Sequence, residues 1–177
     1  MGGYEVARAG DDRVASDDPA TRSGLPETTL GLLPAWGGCT RLPRVIGAEK
    51  AVEVILKGKL YSAQEALKIG LVDEIAPHDQ LLDVAREKLL DGKRKMEGRA
   101  PASPASQELR PPRHDGNPAP ARAIEIINKS LTTSIDASLR LELEGIVELA
   151  KTEATPNLIR NFFHVEKYKE GTPRNEP

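Results

Sequence analysis

The chain has 177 residues and a formal net charge of −2, enough for one ordinary domain with a hydrophobic core. This charge argues against nucleic acid as the main partner, because phosphate binding requires a basic surface. No apolar run approaches the roughly 20 residues of a membrane helix, and the N-terminus lacks a signal-peptide pattern. A single cysteine, Cys39, excludes an internal disulfide framework, and the three scattered histidines predict no metal site. We therefore expect a cytoplasmic chain without a membrane span.

A proline-rich stretch divides the sequence into three parts. Residues 98–120 contain six of the 14 prolines and few large apolar side chains. This composition predicts an extended connector. The connector separates a first part, residues 1–97, from a third part, residues 121–177, whose pattern is helical.

The first part has clear boundaries for its predicted elements. Apolar spacing predicts a helix from about Ala48 to Lys57, followed by a glycine. Ser62 and Glu65 have the spacing of a capping box and predict a second, short helix. We then expect a strand or extended segment over residues 71–75 and a further helix around residues 82–89.

Apolar residues at helical spacing predict three amphipathic helices in the third part. The predicted apolar stripes are, in chain order, Ala121, Ile124, Ile127 and Leu131, then Ile135, Leu139, Leu143, Ile146 and Ala150, then Leu158, Phe162 and Val165. Thr155 followed by Pro156 predicts an N-cap and the first position of the last helix. Because such helices must cover their stripes, we expect them to pack on one another, on the first part or on another subunit.

An ordered series of short motifs runs through the first part. In chain order they are Gly2-Gly3-Tyr4-Glu5, Gly24-Leu25-Pro26-Glu27, Leu30-Gly31-Leu32-Leu33-Pro34, Gly37-Gly38, Arg41-Leu42-Pro43-Arg44, Ser62-Ala63-Gln64-Glu65-Ala66 and Gly70-Leu71-Val72-Asp73. Each motif alone is weak, but together the series resembles the central region of the enoyl-CoA hydratase/isomerase (crotonase) superfamily. The resemblance implies an α/β fold. It would be the C-terminal part of a crotonase-like fold of ββα repeats, mostly helical in this chain.

The sequence is most similar to the hydratase part of fatty-acid oxidation complex alpha subunits of the trifunctional type. This similarity rests on the Ala-Ser-Asp-Asp-Pro loop at residues 15–19 and on the helical segment after the connector. In such subunits an NAD-dependent dehydrogenase domain follows, but this sequence has no Gly-x-Gly-x-x-Gly. The resemblance implies a truncated hydratase domain with an acyl-CoA thioester as substrate and NAD only in the absent dehydrogenase domain. It also implies a homo-oligomer or a complex with a thiolase-type subunit.

The resemblance assigns catalytic roles to two glutamates and one backbone group. Glu5 and Glu27 match the family's catalytic glutamates, and the backbone N–H of Gly2 matches one of its two oxyanion-hole donors. Two neighbouring carboxyl groups suit this chemistry, because their interaction separates their pKa values into an acid and a base. Glu27 would protonate C2 of the enoyl group and Glu5 would activate the water. An isomerase would use the same framework with less dependence on Glu5.

Each assignment also has a structural alternative. Glu5 could simply complement a helix dipole, and Glu27 could be a solvated turn residue. Pro34, Trp36 and Gly37 match residues that line the family's acyl pocket, yet they are equally well explained as a loop and helix start. Cys39 is better explained as a small packing residue than as a nucleophile, because no histidine is near it in the sequence.

Several residues depart from the family pattern. Arg8 and Asp12 replace apolar residues, and Ala35 replaces a glycine. The family's first half, with the other oxyanion donor and most of the CoA-binding loop, has no counterpart before Met1. We therefore expect weak hydratase activity or none from the chain by itself. A catalytically inactive remnant or an interaction module is the alternative.

Overall fold

A computed structural model of the protein describes residues 2–92 and 116–171. Helices predominate in the described part, as the resemblance predicts. They are α1 (Gly2–Ala7), α2 (Gly38–Ile46), α3 (Ala48–Lys57), α4 (Ala63–Ile69), α5 (Leu81–Leu90), α6 (Ala119–Ser130), α7 (Ile135–Ala150) and α8 (Ala154–Gly171). Short 3₁₀ turns cover Glu27–Leu30 and His78–Gln80. No helix among these described residues is long and apolar enough to cross a membrane.

The strands are short and form two separate pairs. They are β1 (Val14–Ser16), β2 (Ser23–Gly24), β3 (Leu60–Tyr61) and β4 (Glu74–Ala76). Strand β1 pairs with β4 in parallel, with Ala15 opposite Ile75, and β2 pairs with β3 antiparallel. Next to the parallel pair, Nη2 of Arg13 lies 2.6 Å from Oδ2 of Asp73, which also accepts a hydrogen bond from the Arg13 backbone N–H. This ion pair ties the two strands together from their N-terminal ends.

The elements of the first part begin and end close to their predicted boundaries. The structure confirms a helix over Ala48–Lys57 and the capping box, in which Ser62 and Glu65 each accept a backbone N–H of the other. The predicted strand or extended segment at 71–75 is confirmed only over its last two residues, because β4 covers Glu74–Ala76. Leu71 and Val72 are instead buried in the turn before it, since they fill the core.

Helices α2, α3, α6 and α7 pack around one hydrophobic core, which contains residues of both the first and the third part of the chain. The fully buried members of this core come from both parts and include Leu25, Leu42, Ile55, Ala123, Ile126 and Ile127. Polar contacts reinforce the packing, because Arg44 donates hydrogen bonds to the carbonyl oxygens of Ser130 and Thr133. Of the three packing arrangements open to the C-terminal helices, the structure shows two: they pack on one another and on the first part. The predicted connector lies largely outside the described residues, and α6 already begins at Ala119.

The predicted apolar face of α7 is wrong. Its buried residues are Ser138, Glu142, Gly145 and Leu149, whereas Leu143 is 62% exposed and Ala150 is exposed. The physical reason is close approach: a Cβ atom at Gly145 would lie 2.7 Å from Ile126 Cδ1 and 2.8 Å from Leu33 Cδ1. Small residues allow this approach, and larger apolar residues are displaced to the flanks.

The last helix also differs from its prediction. Helix α8 begins at Ala154, so Thr155 and Pro156 lie inside its first turn. The Thr155 hydroxyl donates to the carbonyl oxygens of Gly31 and Leu149 and thereby anchors the helix start on the 3₁₀ turn of the first part. Phe162 and Val165, two residues of the predicted stripe, are exposed in the described chain.

Candidate active site

Glu5 is buried in α1 and is held by the loop before α2. Only 5% of the residue is exposed, and its Oε1 atom accepts a hydrogen bond from the backbone N–H of Trp36 at 2.9 Å. Burial raises the pKa of the Glu5 carboxyl, although the Trp36 hydrogen bond and the positive charge of Arg8 oppose the increase. Glu5 is therefore a buried carboxyl group with a fixed orientation, not just an exposed complement of a helix dipole.

Glu27 begins the 3₁₀ turn that follows Pro26, and the turn closes on Gly31 in a left-handed conformation with φ 77°. The Glu27 side chain is half-buried. Its Oε2 atom is buried and has no hydrogen-bond partner in the described part of the chain. Burial raises the pKa of Glu27, and the negative charge of Glu5 raises it further. The Glu27 carboxyl group therefore holds its proton more tightly than a solvated turn residue would.

Gly2 is the first residue of α1, three positions before Glu5. The first N–H groups of a helix have no acceptor within the helix, so they are available to a ligand. The oxyanion role of Gly2 stays a prediction from the resemblance.

The three predicted pocket residues differ in their environments. Pro34 is buried against Gly38, where an added Cβ atom would lie 2.3 Å from the Pro34 Cβ. The Trp36 side chain is 66% exposed, and its backbone N–H binds Glu5. Gly37 has a left-handed φ of 95°, and its N–H binds a second carboxylate, described below. Their role in an acyl pocket stays a prediction.

Arg8 directly follows the last residue of α1, acts electrostatically on both glutamates and is fully buried. Its guanidinium carbon is 5.3 Å from the centre of the Tyr4 ring, and Nη1 donates to the Gly38 carbonyl oxygen at 3.4 Å. Its Nε and Nη2 atoms have no hydrogen-bond partner among the described residues. Burial lowers the pKa of Arg8, and the charges of Tyr4 and Glu5 oppose this. The guanidinium is therefore an incompletely satisfied positive charge within the site.

Sequence reasoning missed one acidic residue of the site, Glu142. This residue of α7 is fully buried, and its two oxygens accept hydrogen bonds from the N–H groups of Gly37 and Thr40. Burial raises its pKa to about 7 against these hydrogen bonds, and the negative charge of Glu5 adds to the increase. A search for apolar residues at helical spacing cannot identify a buried glutamate. The small residues Ser138 and Gly145 lie on the same face of α7, and they could have indicated that this face packs closely against another element.

Cys39 is completely buried, and burial raises the pKa of its thiol well above the ordinary value. This environment matches a packing residue and not a nucleophile, because nucleophilic cysteines need an accessible thiolate. The described residues contain no group of three or more His, Cys, Asp or Glu side chains arranged to hold a metal ion.

A sequence model of the family described as enoyl-CoA hydratase/isomerase matches residues 1–99. The chain therefore belongs to the enoyl-CoA hydratase/isomerase family. Its structure is also similar to that of the enoyl-CoA hydratase from Mycobacterium tuberculosis H37Rv, with 30% sequence identity and a TM-score of 0.52. That match covers 85% of this chain and 58% of the mycobacterial one.

Two further solved structures share the fold. The enoyl-CoA hydratase from Mycobacterium smegmatis is 26% identical with a TM-score of 0.52, and the match covers 85% of this chain and 59% of that one. The enoyl-CoA hydratase from Mycobacterium avium subsp. paratuberculosis K-10 is 24% identical with a TM-score of 0.61, over 92% and 57% of the two chains. The chain thus spans 57% to 59% of the length of these three structures. The architecture is a partial α/β crotonase-like fold, as predicted.

Proposed function

We propose that this chain carries the acid–base pair of an enoyl-CoA hydratase that adds water to a trans-2-enoyl-CoA. One observation carries the proposal: Glu5 lies buried close enough to Glu27 for its negative charge to raise the pKa of the Glu27 carboxyl. Their surroundings differ, because Glu5 is held by the Trp36 N–H whereas Oε2 of Glu27 has no hydrogen-bond partner among the described residues. Different environments of this kind separate two carboxyl groups into a base and an acid.

The proposed reaction follows from these environments. Ionised Glu5 accepts a proton from water while the water oxygen bonds to C3, and protonated Glu27 gives its proton to C2 on the same face. The thioester oxygen carries negative charge in between, and the Gly2 N–H donates a hydrogen bond to it. Each proton transfer is worth about 10²–10⁴-fold in rate. Glu5 finishes protonated and Glu27 ionised, so a proton passes from Glu5 to Glu27 or through solvent before the next cycle.

An isomerase that moves the double bond of an enoyl-CoA is the alternative within the same framework. It needs one group to remove a proton and return it at another carbon, so it depends less on a water-activating base. The hydrogen bond that fixes Glu5 favours the hydratase, because an isomerase would not require this group to be oriented.

We also propose a biological context for the chain, on the basis of its resemblance to fatty-acid oxidation subunits. The chain would belong to fatty-acid β-oxidation as a cytoplasmic piece of a trifunctional alpha subunit. The NAD-dependent dehydrogenase domain and the thiolase-type partner would belong to the longer protein. The chain itself would use an acyl-CoA substrate and no other cofactor.

Loss of the enoyl absorbance of crotonyl-CoA tests the proposed function. The purified chain would be compared with Glu5→Gln and Glu27→Gln, and with Glu144→Gln as a matched control on an exposed position of α7. We expect the chain to turn over about 10²–10³-fold more slowly than the M. tuberculosis relative, because only one oxyanion donor has a match in this sequence. Both site variants should abolish hydration and the control should not. Equal rates for the chain and Glu27→Gln would contradict the proposal.

A second candidate function, an interaction module, is favoured by apolar side chains left exposed on α5. Leu82, Leu89 and Leu90 are 70%, 79% and 86% exposed. Together with Val14 and Leu81, the first two of these line an open groove of about 550 Å³. Exposed apolar patches commonly mark surfaces that bind another chain. Light scattering separates the candidates, because a stable monomer over a range of concentrations would count against the module.

A further inference from the structure

Glu142 reaches from α7 to the first turn of α2, far away in the sequence. Its Oε2 atom accepts the backbone N–H of Gly37 at 2.7 Å, and its Oε1 atom accepts that of Thr40 at 2.6 Å. Gly37 is the residue before the helix and Thr40 is its third residue. The first N–H groups of a helix lack intrahelical acceptors, so one carboxylate satisfies two of them and complements the helix dipole.

The backbone of the same loop also binds Glu5. The N–H of Trp36 donates to Glu5 Oε1 at 2.9 Å, and the N–H of the next residue, Gly37, donates to Glu142. Two carboxylates therefore bind consecutive N–H groups of one loop. The loop also comes close to Glu5 at Gly38, where an added Cβ atom would lie 3.1 Å from Glu5 Oε1. Any movement of this loop changes the place of the Glu5 carboxylate.

The charges that act on Glu142 come from both elements that form the site. The titratable groups concerned are Glu5 on α1, Arg8 directly after α1, and Cys39 and Arg44 on α2. On α6, the Arg122 guanidinium pairs instead with Glu148, further along α7. Burial raises the pKa of Glu142 to about 7, so its charge changes near neutral pH. A protonated carboxyl group has lost its negative charge, so its hydrogen bonds with the two N–H groups are weaker. Protonation of Glu142 would therefore weaken its attachment to the loop.

We propose that Glu142 is a positioning residue for hydration: it fixes the backbone of residues 36–40 and thereby the carboxylate of Glu5. This inference rests on the proposed function, because it assigns Glu142 a role in preparing the proposed base. Glu142 does not touch the reacting atoms. Its effect passes through the Gly37 and Trp36 backbone, and a misplacement of about 1 Å at a catalytic group can cost on the order of 100-fold in rate.

Trp36 provides a readout that does not depend on activity. It is the only tryptophan of the sequence and lies between the two carboxylates in the loop. We expect its fluorescence to titrate with a midpoint near pH 7 in the unaltered chain, following the pKa of Glu142. The titration should disappear in Glu142→Gln and persist in Glu144→Gln. A titration that is missing from the unaltered chain, or that persists in Glu142→Gln, overturns the inference.

Kinetics of crotonyl-CoA hydration separate positioning from a purely structural cap. We expect Glu142→Gln to lower kcat by about 10- to 100-fold while KM changes by less than about threefold, because orientation and not substrate binding is lost. The limb of the pH–rate profile near pH 7 should also vanish. Glu144→Gln should change neither. A kcat loss that merely equals the loss of folded protein, with an unchanged pH profile, overturns the inference.

Glu142→Asp keeps the experiment decisive if Glu142→Gln fails to give the helical circular dichroism of the unaltered chain. Aspartate retains the charge but reaches less far, so we expect a reduced kcat with the limb near pH 7 still present. An unchanged kcat in Glu142→Asp overturns the inference. The proposed function has its own failure: hydration that survives Glu5→Gln and Glu27→Gln refutes it, whatever Glu142 does. If both of those variants are inactive while Glu142→Gln behaves like Glu144→Gln, only the positioning role is refuted.

Discussion

Oε2 of Glu142 lies 2.7 Å from the backbone nitrogen of Gly37, and 105 positions of sequence separate the two residues. This hydrogen bond joins the C-terminal helices to the loop that binds the carboxylate of the proposed base. It is also made by a fully buried carboxylate, whose ionisation is costly. The same contact therefore links the packing of the two parts of the chain to pH.

The free energy of unfolding should depend on the Glu142 charge between about pH 4.5 and 7. The folded chain holds the Glu142 proton up to a pKa of about 7, whereas the unfolded chain releases it near 4.5. The folded state binds more protons in this window, so stability falls as pH rises through it, by about 3 kcal/mol at most. The raised pKa values of Glu5 and Glu27 act in the same direction.

Urea unfolding at pH 5 and pH 8 measures this effect. We expect Glu142→Gln to lose clearly less stability between the two pH values than the unaltered chain, with Glu144→Gln behaving like the unaltered chain. An equal decrease in all three proteins would show that Glu142 does not titrate in this range.

Replacement of Gly145 by alanine should destabilise the chain. Alanine normally stabilises a helix interior relative to glycine by about 0.5–1 kcal/mol. Here the new methyl group would meet Ile126 at 2.7 Å and Leu33 at 2.8 Å, so we expect a net loss of about 1–3 kcal/mol from overpacking. Gly3→Ala on α1 is the control, because a Cβ atom there would have no neighbour within 4 Å. If Gly145→Ala were as stable as this control by urea unfolding, α7 would not pack as closely as described.

Arg8→Met should stabilise the chain and shift its pH dependence. The change removes two buried nitrogen atoms without a described partner, which favours folding by about 1–3 kcal/mol. It loses a Tyr4 contact worth about 0.5–2 kcal/mol and a long hydrogen bond to the Gly38 carbonyl oxygen. It also removes the positive charge that lowers the pKa of Glu5 and Glu27. We therefore expect a small gain in stability against urea. We also expect the acid limb of the pH–rate profile for hydration to shift to higher pH. Arg140→Met, at an exposed position of α7, should do neither. A limb that stays in place would mean that Arg8 does not act on the glutamates.

Local signals in the sequence were sufficient to predict those helix boundaries that depend on neighbouring residues. The capping box of Ser62 and Glu65 and the left-handed glycine at position 70 set the limits of α4, and both act within one or two helical turns. The pair Glu5 and Glu27 was found through the ordered motifs of the family, not through periodicity. Their catalytic roles stay predictions, whereas the structure supplies their burial and hydrogen bonding.

Long-range contacts could not be inferred in the same way. The buried face of α7 is set by Glu142 and Gly145, whose partners lie in the loop before α2 and in α6. A hydrophobic stripe assigns the face with the most apolar side chains and so placed Leu143 inside, although it is 62% exposed. Likewise Thr155 reads locally as an N-cap, but its hydroxyl donates to Gly31 in a distant turn.

Isotope labelling of the product tests the central proposal most directly. The chain would be incubated with crotonyl-CoA in ¹⁸O-labelled water, and mass spectrometry would measure labelled 3-hydroxyacyl-CoA, with Glu27→Gln and Glu144→Gln in parallel. The proposal predicts one ¹⁸O in the product of the chain and of Glu144→Gln, and at least about 100-fold less product from Glu27→Gln. Equal amounts of labelled product with and without the Glu27 carboxyl group would contradict it.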